Sequence, residues 1–297
     1  MKTIENCPIC NNDKLSEWLK TKDYFLTNEE FVITQCDDCG FRFTNPQPEE
    51  ENLYKYYETE NYISHSQKNQ SGVISKLYNF VKIFNTKNKY RTIKKYSDKG
   101  SLLDIGAGNG YFANYMKNKN WHVDGVEPNS TARKHAQDNF SIELKDEDFL
   151  NETEAEKYDV ITMWHVLEHV SKLNERIEQI SRLIKQNGKI FIAVPNINSK
   201  DAEYYKKYWA GLDTPRHLWH FSEKDIKNLL QSSDLQLIKT KGMKFDSFYI
   251  SIMSEKNINK KGNIFRAIYI GLISNLFYAK KRGYSSMIYI LAKKCTK

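Results

Sequence analysis

The stretch Ser101-Leu-Leu-Asp-Ile-Gly-Ala-Gly-Asn-Gly-Tyr111 decides how this chain is read. An apolar run enters Asp104, three glycines follow at Gly106, Gly108 and Gly110, and a helical pattern begins at Tyr111. Glycine lets a backbone turn tightly and lets a ligand come close to it. A second apolar strand, Trp121 to Val126, ends in Glu127. An acid at that position can accept hydrogen bonds from two ribose hydroxyls. Together these features predict a site for a nucleoside-like cofactor.

Working outward, strands and helices alternate. Strands are expected at Leu102–Ile105, His122–Val126, Tyr158–Trp164 and Lys189–Val194, with a short third strand near Ser141–Leu144. Helices are expected at Tyr111–Asn118, Asn129–Asp138 and Lys172–Lys185. This βαβ rhythm implies a mostly parallel sheet covered by helices, with ligands at the carboxyl ends of the strands. Ser222–Ser232 reads as a further helix capped by Ser222 with Asp225 three residues on. Two late strands, Leu235–Lys241 and Ser286–Leu291, bracket an apolar helical insertion at about 246–283.

The glycine spacing selects the cofactor. A dinucleotide site wants G-x-G-x-x-G with the pyrophosphate on the helix N-terminus. Here the spacing is G-x-G-x-G, and Asp104 stands just before the loop. A carboxylate there repels a pyrophosphate but suits S-adenosylmethionine, which carries an ammonium and a sulfonium.

At these residues the chain resembles class I S-adenosylmethionine-dependent methyltransferases. Asp104-Ile-Gly-Ala-Gly-Asn-Gly110 and Gly125-Val-Glu-Pro-Asn129 are similar to their first two motifs. Tyr158 to Val170 and Gly188 to Asn196 are similar to the fourth- and fifth-strand motifs. The resemblance covers about residues 98–295 and implies an α/β, Rossmann-like sheet whose last strand runs antiparallel. It implies that Asp104 orients the methionine amino group, and that Gly106 and Gly108 pass the methionine and ribose. Glu127 would grip the ribose hydroxyls, Pro128 would pack near the adenine, and Asp148-Phe149 matches a position that contacts adenine. Trp164 and His165 would face the methionine end, and His165 is a catalytic candidate.

His165-Val-Leu-Glu168-His169 also satisfies H-x-x-E-H. That metalloprotease pattern needs both histidines on one helix face, whereas this segment ends a strand. The same site resembles ubiquinone-pathway O-methyltransferases, which use a divalent ion and carry Glu where His165 stands. The alternative is that Glu168 and His169 merely hold the loop.

Two C-x2-C pairs, Cys7-Pro-Ile-Cys10 and Cys36-Asp-Asp-Cys39, flank alternating residues such as Phe31-Val-Ile-Thr34. Four thiolates at this spacing predict a structural tetrahedral zinc that folds a small ribbon. The fifth cysteine, Cys295, stands apart. Cys39-Gly-Phe-Arg-Phe-Thr-Asn-Pro-Gln-Pro48 resembles the N-terminal segment of bacterial methyltransferases related to sugar methyltransferases. A ribosomal RNA guanine methyltransferase offers a second resemblance, but its ribbon carries a His ligand.

After the fifth strand, Tyr208 to Ser222 gathers Trp209, Asp213, Arg216, His217, Trp219 and His220. Loops at that end of the sheet cover the ligand. Arg216 is therefore expected to hold a phosphate or carboxylate. His217 or His220 is expected to take a proton from a hydroxyl. The alternative is that these residues cap the next helix and pack the loop. The stretch also resembles a D-x-P-R-H-x-x-H-F-S segment of the sugar-type group.

The chain has 297 residues, 40% of them hydrophobic and 13% aromatic, which is enough for a sizeable core and argues against disorder. Its net charge of +8 permits an acidic substrate, a nucleic acid or an anionic membrane, and equally a solvated lysine face. The amino terminus lacks a signal-peptide pattern, so a cytoplasmic protein with metal-binding rather than disulfide-bonded cysteines is expected. The expected division is a zinc ribbon at 1–48, a helical segment at 49–98 with a polar loop from about Asn61 to Ser71, and a methyltransferase domain at 99–297. The expected function is methyl transfer to a small-molecule or glycan-precursor acceptor, at a hydroxyl oxygen or sugar carbon. An RNA methyltransferase and a non-catalytic binding module are the alternatives. No N-P-P-Y motif stands at the fourth strand, which disfavours a nucleobase target. The longest apolar stretch, Ile264 to Ala279, is interrupted by Arg266 and Asn275 and is too short and too polar for a membrane span, but the insertion at about 246–283 could rest on a membrane surface or pack as a lid or dimer face. The sequence leaves the oligomeric state open.

Overall fold

The computed structural model describes residues 1–57 and 73–294. The loop expected from Asn61 to Ser71, and Cys295, lie outside the described residues. A six-stranded sheet is built from β4 (Ser101–Ile105), β5 (His122–Val126), β6 (Tyr158–Trp164), β7 (Ile184–Pro195), β9 (Leu235–Gly242) and β10 (Ser286–Lys293), in the order β5-β4-β6-β7-β10-β9. The first four strands run parallel, and β10 lies antiparallel between β7 and β9. Strand parity builds two cores, as expected where both faces of a sheet are covered. Leu103, Ile161, Met163, Ile190 and Ile192 meet Leu173, Ile177 and Ile180 of helix α4 (Leu173–Leu183) on one face. Leu102, Val160, Phe191, Ile288 and Ile290 meet Phe112 and Met116 of α2 (Tyr111–Lys117) and Ile93 of α1 (Val73–Ile93) on the other.

The expected third strand at Ser141–Leu144 does not form. Ser141 adopts φ 53° as it closes α3 (Ser130–Phe140), and Ile142 and Leu144 pack with Ala136 instead. Only Lys145 pairs with the sheet: its N–H reaches the Gly125 carbonyl at 2.8 Å, and its carbonyl accepts the Glu127 N–H at 2.9 Å. This bridge fixes the backbone on both sides of Val126, and so positions Glu127.

The amino-terminal strands β1 (Leu15–Lys22), β2 (Glu30–Cys36) and β3 (Arg42–Thr44) form an antiparallel sheet. Its fourth strand is β8 (Trp219–His220), which comes from the histidine-rich loop and pairs Phe43 with Trp219. The rings of Phe41, Phe43, Trp219 and Phe221 lie 5.7–6.2 Å apart between neighbours and close the joint. Helix α6 (Glu223–Leu229) follows, with the expected capping box between Ser222 and Asp225. The insertion forms helices α7 (Asp246–Ile258) and α8 (Ile264–Ile273), which stand on helix α5 (Lys200–Tyr205). No described helix is long and apolar enough to cross a membrane.

Candidate active site and its metal-binding clusters

The glycine loop leaves β4 with Gly106, Gly108 and Gly110 at φ 70°, 54° and 74°, a region that disfavours side chains. A Cβ on Gly106 would stand 2.3 Å from Val166 Cγ2, so this position also needs glycine for packing. A Cβ on Gly108 would meet no protein atom within 4 Å. Close packing thus explains Gly106, whereas at Gly108 the backbone itself faces a space that a bound group can fill.

Glu127 leaves β5 half-buried beside this loop. Its carboxylate accepts the Gly108 N–H at 2.8 Å and the Asn129 N–H at 3.0 Å. Burial raises its pKa, and those two hydrogen bonds act against the shift. Asp104 lies deeper, 2% exposed, and accepts a 2.6 Å hydrogen bond from Thr162 Oγ1 on β6. Burial pushes its carboxyl up to about 6, although Thr162 and the Lys89 ammonium favour the ionised form. Lys89, from α1, lies 4.6 Å from the Trp164 ring centre, and the Trp164 Nε1 is buried without a partner. Asp104, Gly106, Gly108, Glu127 and Trp164 therefore all stand at the carboxyl ends of β4, β5 and β6. Pro128 and Asp148 are exposed; Asp148 precedes the helical turn Phe149–Glu152. This donor set fits the expected cofactor, with an acid for an ammonium, an acid for ribose hydroxyls and an open glycine backbone between them.

His165 follows directly at φ 60°, because the chain turns sharply out of β6 into the short helical turn Leu167–His169. The two histidines of H-x-x-E-H therefore do not share a helix face, in keeping with the sequence reading. His165 Nδ1 lies 3.3 Å from Glu168 and Nε2 lies 3.2 Å from Asp246 at the start of α7. Burial alone would lower its pKa, but these two acids outweigh it and hold it at about 9. His165 is therefore an imidazolium near neutral pH, with both nitrogens engaged. This corrects its place among the catalytic candidates: it cannot accept a proton there, and it locks the loop instead.

Beyond it, Glu168, His169 and His217 bring one ligand atom each within 4.8 Å of one another. His169 Nδ1 lies 3.0 Å from the Arg216 carbonyl, and His217 Nδ1 lies 2.9 Å from the Gly211 carbonyl. A carbonyl only accepts, so His217 Nδ1 donates to Gly211, while His169 Nδ1 stands between the Arg216 carbonyl and the Tyr57 hydroxyl, 3.0 Å from each. Burial and the neighbouring His217 depress His169 to about 4, which keeps it neutral. Glu168 Oε2 is buried with no hydrogen-bond partner. Two imidazoles and one carboxylate make a donor set that can hold a divalent ion. The same cluster places the His217 ring where it can receive the proton of an acceptor hydroxyl.

The rest of the histidine-rich loop departs from expectation. Arg216 is 1% exposed and does not face a ligand. Its guanidinium donates to Asp213 at 2.7 and 3.1 Å, to Asp23 at 2.8 Å and to the Tyr56 carbonyl at 3.1 Å. It fastens the loop to the amino-terminal sheet rather than holding a phosphate or carboxylate. His220 is likewise buried, its Nε2 3.2 Å from Thr44 Oγ1, and burial depresses it to about 3. It packs the joint between β3 and β8 and cannot serve as the general base. Sequence reasoning missed Lys89, Asp246 and Asp23. Asp246 opens a helix right after β9, which is a usable signal, but Asp23 and Lys89 had none.

The four cysteines converge as expected. Cys7 and Cys39 sulfurs are 3.6 Å apart, Cys10 and Cys36 sulfurs are 3.5 Å apart, and all four lie within 4.8 Å. A disulfide needs about 2.05 Å. Zinc at about 2.3 Å from four sulfurs sets them about 3.8 Å apart, close to what is found. Asn174 Nδ2 bonds the Pro8 carbonyl and Lys224 Nζ the Cys39 carbonyl, so both knuckles are tied to the helical layer.

The fold and this cofactor half-site are those of a class I S-adenosylmethionine-dependent methyltransferase. The sequence profile of the family described as Methyltransferase domain matches residues 79–240, more than half of the chain, and the chain belongs to that family. Among curated relatives, it is 30% identical over 161 residues to the ubiquinone biosynthesis O-methyltransferase of Hahella chejuensis. It is 34% identical over 168 residues to that of Actinobacillus pleuropneumoniae. Each match spans 49% of this chain, with 66% and 69% of the respective relatives covered, so about a third of each relative is unmatched. Among solved structures, a protein from Pyrococcus horikoshii aligns with TM-score 0.51 at 13% identity, over 81% of this chain and 99% of that one. Coclaurine N-methyltransferase, bound to N-methylheliamine and S-adenosylhomocysteine, aligns with TM-score 0.50 at 15% identity, over 83% and 79%. These two likenesses are of fold.

Proposed function

We propose that this protein transfers the methyl group of S-adenosylmethionine to a hydroxyl oxygen of a small-molecule or sugar-derived acceptor. The observation that carries the reading is the Glu168–His169–His217 cluster, tied through His165 to the end of the strand that bears Trp164. An oxygen nucleophile needs its proton removed, whereas a sulfonium methyl needs only an in-line approach. The names of the ubiquinone biosynthesis relatives point the same way.

In this reading Glu127 holds the ribose hydroxyls, and ionised Asp104 attracts the methionine ammonium, directly or through water. The bound cofactor supplies an electrophilic methyl. Trp164 walls the reacting end, and a ring nitrogen of His217, with Glu168 and His169 beside it, accepts the hydroxyl proton. A divalent ion held by Glu168, His169 and His217 would lower the pKa of an acceptor hydroxyl. The Cys7–Cys10–Cys36–Cys39 cluster binds structural zinc and fixes the strand layer of residues 1–48, to which the histidine-rich loop is pinned. Of residues 49–98, the described ones, chiefly α1, serve as a helical cap, and the domain from residue 99 onward performs the transfer.

The test is transfer of labelled methyl from S-adenosylmethionine to separate pools of phenols and catechols, sugar nucleotides, and RNA. The reading expects a methyl ether on a hydroxylated small molecule, lost in Glu168→Gln while cofactor binding persists. Labelling of RNA alone, or of nitrogen alone, would contradict it.

A further inference from the structure

Helix α8 carries a surface that methyl transfer does not use. Its inner side, Ala267, Ile270 and Gly271, packs on α5 and α7, with Gly271 against the Phe248 ring. Its outer side leaves large apolar side chains in solvent. Phe265 is 83% exposed, and Leu276 and Phe277, one turn beyond the helix, are 69% and 72% exposed. Ile268, Tyr269 and Leu272 are exposed between them. Positions 265, 268, 269, 272 and 276 follow helical spacing, so they share one face. Single exposed apolar residues are ordinary, but five along one face, with Phe277 beside them, make an interaction surface.

The charges around this face are mostly basic: its acids, Glu255 and Glu203, are taken up by Arg266, Arg282 and Lys200. From Lys256 to the end of the chain there is no Asp or Glu. Exposed Lys260 and Lys261 precede α8, and exposed Lys280, Lys281 and Arg282 follow it. Among the described residues Lys260, Lys261, Lys280 and Lys281 form no ion pair, whereas Arg282 pairs with Glu203 at 2.7 Å. Beside the face a groove of about 460 Å³ opens between α5 and the α8 segment, lined by Tyr204, Tyr269, Ile273, Phe277 and Tyr278, with Lys200 at its rim. An apolar face flanked at both ends by unpaired cations, next to an apolar groove, is the arrangement by which a helix lies in a bilayer interface.

We propose that the α8 face docks on an anionic phospholipid surface, with the aromatic and aliphatic side chains in the interface and the lysine clusters against the headgroups. The proposal does not depend on the acceptor assignment, and it places the protein where an apolar acceptor would be met.

The test is co-sedimentation of the full chain with phosphatidylcholine vesicles, with and without phosphatidylglycerol, alongside its sedimentation velocity in solution. Binding is expected only with phosphatidylglycerol and is expected to weaken at high salt. Phe265→Ser with Phe277→Ser should weaken it on the order of a hundredfold, because two largely exposed phenyl groups no longer enter the interface. Lys280→Glu with Lys281→Glu should weaken it about tenfold or more. Both variants should keep the S-adenosylmethionine affinity, which reports an intact fold. Failure of the native chain to bind the anionic vesicles would overturn the proposal. So would a dimer in solution that the double serine variant dissociates, which would assign the face to a second copy.

Discussion

Asp104→Asn separates what the cofactor site needs from what the fold prefers. The Asp104 carboxyl is buried behind the glycine loop, and its pKa is raised to about 6. In the unfolded chain it would titrate near 3.9. Below about pH 4 the group is protonated in both states, and the native protein suffers nothing from it. As pH rises from about 4 to about 6 the unfolded state ionises first, and native stability falls. The two-unit gap corresponds to about 3 kcal/mol, lost in full at neutral pH and above. Asparagine keeps an oxygen for the Thr162 hydroxyl, which donates at 2.6 Å, and never ionises. The ligand-free variant should thus exceed the native protein by up to about 3 kcal/mol at pH 8 and match it near pH 4. Binding should change the other way. The native protein should bind S-adenosylmethionine more tightly as pH rises through about 6, since only the carboxylate attracts an ammonium. The variant should lose that pH dependence and bind roughly tenfold to a hundredfold more weakly at pH 8, the worth of one charge-assisted hydrogen bond. Urea unfolding and calorimetry across pH 4–8 read both quantities. A variant less stable than the native protein at pH 8, or one with undiminished cofactor affinity there, would refute the reasoning.

Three further outcomes follow from the site. Arg216→Ala leaves the carboxylate of Asp23 without its cation, and should cost about 3–5 kcal/mol in denaturant unfolding. A stable variant with lost turnover would return Arg216 to the substrate. Metal analysis of protein purified without a metal-affinity tag should find about one zinc per chain at the cysteine cluster, and a protein folded without any zinc would remove the ribbon account. His217→Ala should reduce methyl transfer to a hydroxyl about a hundredfold or more while sparing S-adenosylmethionine affinity; unchanged turnover would exclude the cluster from proton removal.

What the sequence disclosed follows from how local each signal is. The glycine loop, its flanking strands and Glu127 lie within about one βαβ unit, and both their periodicity and their chemistry are visible in a linear reading. The cysteine pairs and the Ser222–Asp225 capping box are equally local. Linear spacing does not reveal the role of Arg216, because its partner Asp23 lies far upstream, just after β1 of the amino-terminal sheet. Strand β8 is two residues long, too short for any alternating pattern, so nothing marked His220 as part of a strand joint. His165 was seen as a site residue, but its charge is set by Asp246, from an insertion whose docking no spacing rule predicts. The third strand failed because a single left-handed residue, Ser141, turned the chain away and left only Lys145 in reach.

The central claim is that the glycine loop and Glu127 form the methyl-donor site. Calorimetric titration of S-adenosylmethionine into the native protein and into Glu127→Ala tests it most directly. The account predicts one binding event per chain in the native protein. Loss of two charge-assisted hydrogen bonds to ribose should weaken it by about a hundredfold or more in the variant. Equal affinity in the two proteins would contradict it.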